Sequence, residues 1–268
     1  MGGLHAYARG AEGGRELVRT RTPTQERAVR CNAALLLHEC ARKTPELCAK
    51  TVADGGMACL ARNLQLEDGH ANALPTVLAL GCVADFSVAL SVQGVKVGAT
   101  KEVIRYLRGD VEDKVRVAAA WTVARLARHG AEVARPMATA GVLAPLLEMY
   151  KWSCRDEGDP IMKAKAKEAL KEVVHCCGDL QALEPLLDVE TPGEILRHVL
   201  AEFASGLPKS VPMKRSFVTS GALMRMVRLA KDLMRLQHVT LESRSAAFVE
   251  QIAALFPPDV VSYYSEDP

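Results

Sequence analysis

The sequence repeats itself every 43 residues, and that period limits the fold more than any other feature. Asn32-Ala-Ala-Leu-Leu-Leu-His-Glu-Cys-Ala41, Pro75-Thr-Val-Leu-Ala-Leu-Gly-Cys-Val-Ala84 and Ala118-Ala-Ala-Trp-Thr-Val-Ala-Arg-Leu-Ala127 follow one another at that offset without a gap. The same step carries Gly55 to Gly98 to Gly141, Leu60 to Val103 to Leu146, and Leu64 to Leu107 to Tyr150. It also carries Leu37 to Leu80 to Val123, and Leu47 to Leu90 to Val133. Apolar columns held in phase over three periods require like units stacked side by side, because one such unit cannot bury its own apolar face.

Within a unit, an Ala-rich apolar helix such as 115–129 is followed by a shorter helical piece, a Gly, and a further helix such as 142–150. Glycine suits that junction because it takes a positive φ without a steric penalty. Only 4% of residues are aromatic, and β-branched alternation is scarce, so close-packed helices are favoured over strands. The period and the three-helix grammar match an all-α, right-handed α-solenoid of armadillo repeats, with HEAT repeats as the near alternative.

A fourth unit follows an insertion at 151–160, whose charge and Gly/Pro content read as an exposed loop, and 164–177 supplies its Ala-rich helix. Ser220-Gly-Ala-Leu223 echoes Ala140-Gly-Val-Leu143, so 183–236 reads as a degenerate repeat with a helix at 195–205. A last amphipathic helix, 243–256, is expected to stop at Pro257-Pro258 as a cap before an acidic tail. The Gly-rich segment 1–21 shows no apolar stripe and is expected to be disordered, leaving 22–268 as the solenoid.

Thirty-four Lys and Arg against 32 Asp and Glu leave a net charge of +2, too balanced for electrostatic nucleic-acid binding. No run of about 18 apolar residues is present to span a membrane. The eight cysteines lie mostly at apolar helical positions and read as reduced core residues of a cytoplasmic protein.

Catalytic and metal-binding signatures are missing: the sequence has no Gly-rich phosphate loop, HExxH, paired CxxC or GxSxG. His38-Glu39-Cys40 and His175-Cys176-Cys177 lack the paired spacing of a zinc site. The reading is therefore a non-enzyme with no cofactor and no metal, working through protein partners.

Armadillo grooves that hold extended peptides use a Trp followed one turn later by an Asn, whose amide can hold a peptide backbone. The corresponding pairs here are Leu35 with Glu39, Leu78 with Cys82, and Trp121 with Arg125, which argues against an import-receptor ladder. The groove instead offers Glu39, Trp121, Arg125, Glu168 and Glu172 to a partner. The competing reading of Trp121 is simple packing within the solenoid. A second candidate surface lies in 209–235, where seven Lys and Arg face Asp232 alone. Arg225, Arg228, Lys231 and Arg235 fall within one arc of a helix, opposite Leu223, Met226, Val227, Ala230, Leu233 and Met234. Such a stripe suits acidic tubulin tails or another acidic protein, although a solvated face has the same pattern.

Five runs carry a family resemblance: Arg42-Lys-Thr-Pro-Glu-Leu-Cys-Ala-Lys-Thr-Val-Ala-Asp-Gly-Gly56, Val117-Ala-Ala-Ala-Trp-Thr-Val-Ala-Arg-Leu-Ala-Arg-His129, Ala182-Leu-Glu-Pro-Leu-Leu187, Arg215-Ser-Phe-Val-Thr-Ser-Gly221 and Val261-Ser-Tyr-Tyr-Ser265. From about Thr24 to Pro268 the chain resembles the C-terminal half of the sperm-associated antigen 6 family, the last two runs being the most specific. The resemblance implies an armadillo scaffold in the central pair apparatus of motile cilia and flagella, bound to other central-pair proteins and tubulin. The runner-up is a soluble cytosolic adaptor that binds an extended peptide around Trp121 and Arg125. The family's further repeats lie upstream, so the apolar side of the unit around Ala33 to Ala41 is expected to need a partner or a second copy.

Overall fold

A computed structural model describes residues 23–265, apart from 54, 68–72, 109–110, 156–157 and 236–242. The expectation for 1–21 and the acidic residues Glu266 and Asp267 lie outside the described residues.

Helices α1 (Pro23–Lys43), α2 (Pro45–Ala53), α3 (Gly56–Leu66) and α4 (Leu74–Asp85) open the chain. Two full units follow: α5 (Val88–Lys96), α6 (Ala99–Leu107) and α7 (Asp113–Ala127), then α8 (Ala131–Thr139), α9 (Leu143–Ser153) and α10 (Pro160–Cys177). Next come a four-residue α11 (Leu180–Leu183), a 3-10 turn (Glu184–Leu186), and α12 (Gly193–Gly206). The chain ends in α13 (Val211–Thr219), α14 (Ala222–Arg235), α15 (Ser243–Ala253) and α16 (Pro258–Ser265). Helices α1, α4, α7, α10, α12 and α15 stack in chain order as a ladder, and the shorter pairs form a second layer beside it. This is the expected all-α armadillo solenoid.

The glycine column works as the sequence requires. Gly55, Gly98, Gly141 and Gly221 have φ of 86°, 79°, 83° and 76°, the left-handed region in which an L side chain costs about 1–2 kcal/mol. Each stands at the entry to the helix after the bend, so the chain reverses the same way in every unit. Behind the bends, Leu60, Val103 and Leu146 are fully buried in register. The Leu47, Leu90, Val133 column grades instead, from 44% exposed at Leu47 through half-buried Leu90 to no exposure at Val133. Among the described residues, a helix early in the stack has a neighbouring unit on one side only.

Polar contacts tie one unit to the next. The Tyr106 hydroxyl, on α6, donates to the carbonyls of Leu64 (2.9 Å) and Glu67 (2.8 Å), and Arg105 donates to the same two oxygens. These carbonyls at the end of α3 have no partner within their own helix. The Glu67 carboxylate, almost fully buried, takes Arg27 and Arg30 from α1 at 3.2 and 2.9 Å.

Three expectations change. The insertion begins later than 151, because α9 runs on to Ser153, which is buried and donates its hydroxyl to the Tyr150 carbonyl. The chain does not end its helices at Pro257-Pro258: Pro258 opens α16, since proline fits the first helical position, where its missing N–H costs nothing. The cysteines are free, yet only Cys48 and Cys177 are buried, and Cys59 and Cys154 are exposed. At the C-terminal end, Phe217 lies tilted against Phe203 at 5.0 Å between centroids and stacks on Phe256 at 6.0 Å, tying α12, α13 and the turn after α15 together.

Candidate partner-binding surfaces

Trp121, half-buried on α7, lies directly over Gly81 of α4; a Cβ at Gly81 would overlap the indole and come within 2.7 Å of the Thr122 hydroxyl oxygen. Thr122 in turn donates to the Val77 carbonyl at 2.9 Å. Packing and partial exposure therefore coexist at Trp121: one side of the ring rests on α4, and Arg125 lies 5.5 Å from its centroid.

Arg125 joins three rungs of the ladder. It donates to Glu168 on α10 at 3.1 Å and lies 3.8 Å from Asp85 on α4, while Arg128 reaches the same Asp85 carboxylate at 2.6 Å. Glu168 also takes Lys165 at 2.8 Å. The exposed Glu39 pairs within its own helix, with Arg42 and His38 both at 3.3 Å. Burial raises the Cys82 thiol, and Arg42, Asp85, Glu39 and Arg125 act on it as well, so the charges of α1, α4 and α7 share one face. Glu172 is half-buried one turn beyond Glu168, where its charge adds to burial in raising the Cys176 thiol.

The structure thus brings Trp121, Arg125 and Glu168 together and adds Gly81 and Asp85, which the sequence reading did not single out. The period was the available signal, because Asp85 precedes Arg128 by 43 residues and Glu168 follows Arg125 by 43. Chemically the face is a chain of compensated charges. An incoming peptide must compete with Asp85 and Glu168 for Arg125.

The basic helix divides. Leu223, Met226, Val227 and Ala230 are buried as the pattern requires. Arg225, however, donates to Glu184 at 3.0 Å, and Ser220 donates to the other oxygen of that buried carboxylate at 2.9 Å. Arg228 is exposed and Lys231 half-buried; the side chain of Arg235 lies outside the described residues. Among the described side chains, what remains of the stripe is Arg228 and Lys231.

A third charged zone joins α9 and α10 to α12 and the turn before it. Glu194 takes Lys167 and the Tyr150 hydroxyl, Lys151 meets Glu190 at 3.0 Å, and His175 meets Glu202 at 3.0 Å. The hydrogen bond from Lys167 is the main cause holding the Glu194 carboxyl below its usual range. Burial, followed by Lys171 and Arg197, pushes the His198 imidazole down. Among the described residues, no group of three or more His, Cys, Asp or Glu could hold a metal ion, and no helix is long and apolar enough to cross a membrane.

No known family model matches the chain. Over 161 residues it is 33% identical to human sperm-associated antigen 6 and 34% identical to the mouse protein, covering 59% of this chain. The chain resembles sperm-associated antigen 6. The matched stretch is 29% of the length of those relatives, and shorter than the span the sequence runs suggested. Among solved structures, a designed armadillo repeat protein in complex with the peptide (KR)4 superposes with a TM-score of 0.51 at 20% identity, covering 84% of this chain and 92% of that one. A computationally designed armadillo repeat protein for modular peptide recognition gives 0.52 at 19% identity, with 84% and 92% covered. An engineered protein gives 0.55 at 20% identity, covering 92% of this chain and 58% of that one. Fold and similarity together support a protein-interaction scaffold and point away from an enzyme.

Proposed function

We propose that the chain is a structural scaffold of the ciliary and flagellar axoneme, held in the central pair apparatus by other central-pair proteins and tubulin and supporting motility. The similarity to sperm-associated antigen 6 supports the setting. The observation that carries the mechanical part is the Asp85–Arg125–Glu168 bridge, which pins three successive long helices to one another. A ladder braced this way holds its partner surfaces at fixed spacing, and a long contact area makes an assembly component permanent. The groove charges are used within the fold, which favours broad faces over an extended peptide as the means of attachment.

The test is fractionation of detergent-extracted cilia with and without a central pair. The chain should stay with normal axonemes and be absent from those lacking the pair; release with the soluble proteins would reject the assignment. The adaptor reading rests on the partly exposed Trp121. It requires Trp121→Ala with Arg125→Ala to abolish binding of one partner while helicity is kept, whereas the scaffold tolerates that pair better than loss of a broad face.

A further inference from the structure

One apolar stripe has no partner among the described residues. Along α1, Val29 is 45% exposed and Leu36 68%, with Ala33 exposed and Cys40 half-buried between and beyond them. Their spacing of four, three and four residues places all of them on one side of the helix.

The repeat shows what this side is for. Two periods later the same positions are Val115, Ala119, Thr122 and Leu126 of α7, all fully buried. Their surroundings include α4: Thr122 bonds to Val77, beside the Trp121–Gly81 contact. One period later, Thr76, Ala79 and Val83 of α4 are buried as well. The stripe on α1 is therefore a stacking face of the ladder, built to receive another helix.

The charges at its ends define which helix fits. Glu26 stands in the first turn of α1 and Lys43 in the last, both exposed. Together with the stripe they form the series 26, 29, 33, 36, 40, 43, symmetric about its midpoint. A second α1 laid antiparallel then places Glu26 against Lys43, Val29 against Cys40, and Ala33 against Leu36, each contact made twice. Opposite charges meet, a small side chain faces a large one, and the two helix dipoles oppose. Among the described residues the other end of the ladder supplies no matching stripe, since α15 exposes Ala247, Glu250 and Gln251. A head-to-tail filament is thus disfavoured against a closed pair.

We propose that α1 pairs with the α1 of a second copy of this chain, antiparallel about a two-fold axis through the Ala33–Leu36 contact. The inference stands apart from the axonemal assignment and is tested on the purified full chain.

Light scattering after size exclusion should give twice the 29.0 kDa of one chain. Leu36→Asp should halve that mass without loss of helicity, because the side chain projects into solvent within one copy. Glu26→Lys should weaken pairing at least about tenfold, the scale of a like-charge contact at an interface. Adding Lys43→Glu should restore it, which general destabilisation would not do. Val29→Cys should cross-link to Cys40 of the second copy under mild oxidation, and Cys40→Ser in that background should abolish the link. A wild-type chain that stays monomeric at about 100 µM, where even a weak protein interface assembles, overturns the proposal and leaves the stripe to a helix of another solenoid. A dimer that survives Leu36→Asp, or a charge swap that does not restore pairing, overturns it equally.

Discussion

Gly81 and Trp121 are a matched pair on neighbouring helices. Because the indole occupies the space a methyl group would take, Gly81→Ala must displace the ring or push α4 away from α7. Overpacking of this kind costs about 1–3 kcal/mol, more than the helix-propensity gain of about 1 kcal/mol that alanine brings. The variant should melt lower than wild type, and its tryptophan emission should shift to the red; an unchanged spectrum and a higher melting temperature would contradict the packing described. Cys48 gives a pH test. Burial, with a smaller contribution from Cys82, moves its thiol from 9.0 to about 11. The unfolded chain therefore ionises first, so the contribution is fully present below pH 9.0 and lost as pH rises toward about 11. The melting temperature should fall across that window, and Cys48→Ala should flatten the fall. The exposed Cys59 and Cys154 should react with a thiol reagent well before Cys48 and Cys177.

At the scale of the helix, α14 shows what a periodic reading finds and what it misses. Its buried side follows directly from apolar spacing, and Leu223 and Met226 lie where the pattern puts them. Its basic side did not show that Arg225 has a buried partner, because Glu184 sits in a segment that departs from the repeat and no periodic argument reaches it. The two arginines should consequently behave differently. Arg225→Ala leaves the Glu184 carboxylate buried with Ser220 as its one side-chain partner among the described residues and should cost about 3 kcal/mol, the lower end for breaking a buried pair, given the partial exposure of the arginine. Arg228→Ala removes an exposed charge and should stay within about 0.5 kcal/mol. Denaturant unfolding of the two variants measures the contrast, and equal losses would remove Arg225 from the fold's internal network. Elsewhere the same division holds. The glycine bends and the Leu60, Val103, Leu146 column were legible because every unit repeats them. The start of α16 was not, since Pro258 can end a helix or begin one, and the sequence pattern alone does not choose.

Across the whole molecule, the period accounts for the ladder, while the departures from it account for where the ladder is thin. Between α10 and α12 the second layer shrinks to α11 and a single 3-10 turn, burying Leu180, Leu183, Leu186 and Leu187. The polar links across that boundary are partly exposed: the Lys151–Glu190 pair has one side chain 77% exposed, and His175–Glu202 one 80% exposed. Such links contribute about 0–1 kcal/mol each, whereas α4 and α7 meet through buried alanines and a seated indole. In a stacked array, cooperativity passes only from neighbour to neighbour, so a weak boundary divides the array into blocks that unfold on their own. Amides in 193–265 should exchange with solvent as one group and those in 74–177 as another, at separate denaturant midpoints. A single shared midpoint would show that the short segment couples the two blocks in full. The truncated unit is then a boundary between two independently cooperative parts of one solenoid, so that strain or damage in one need not unfold the other.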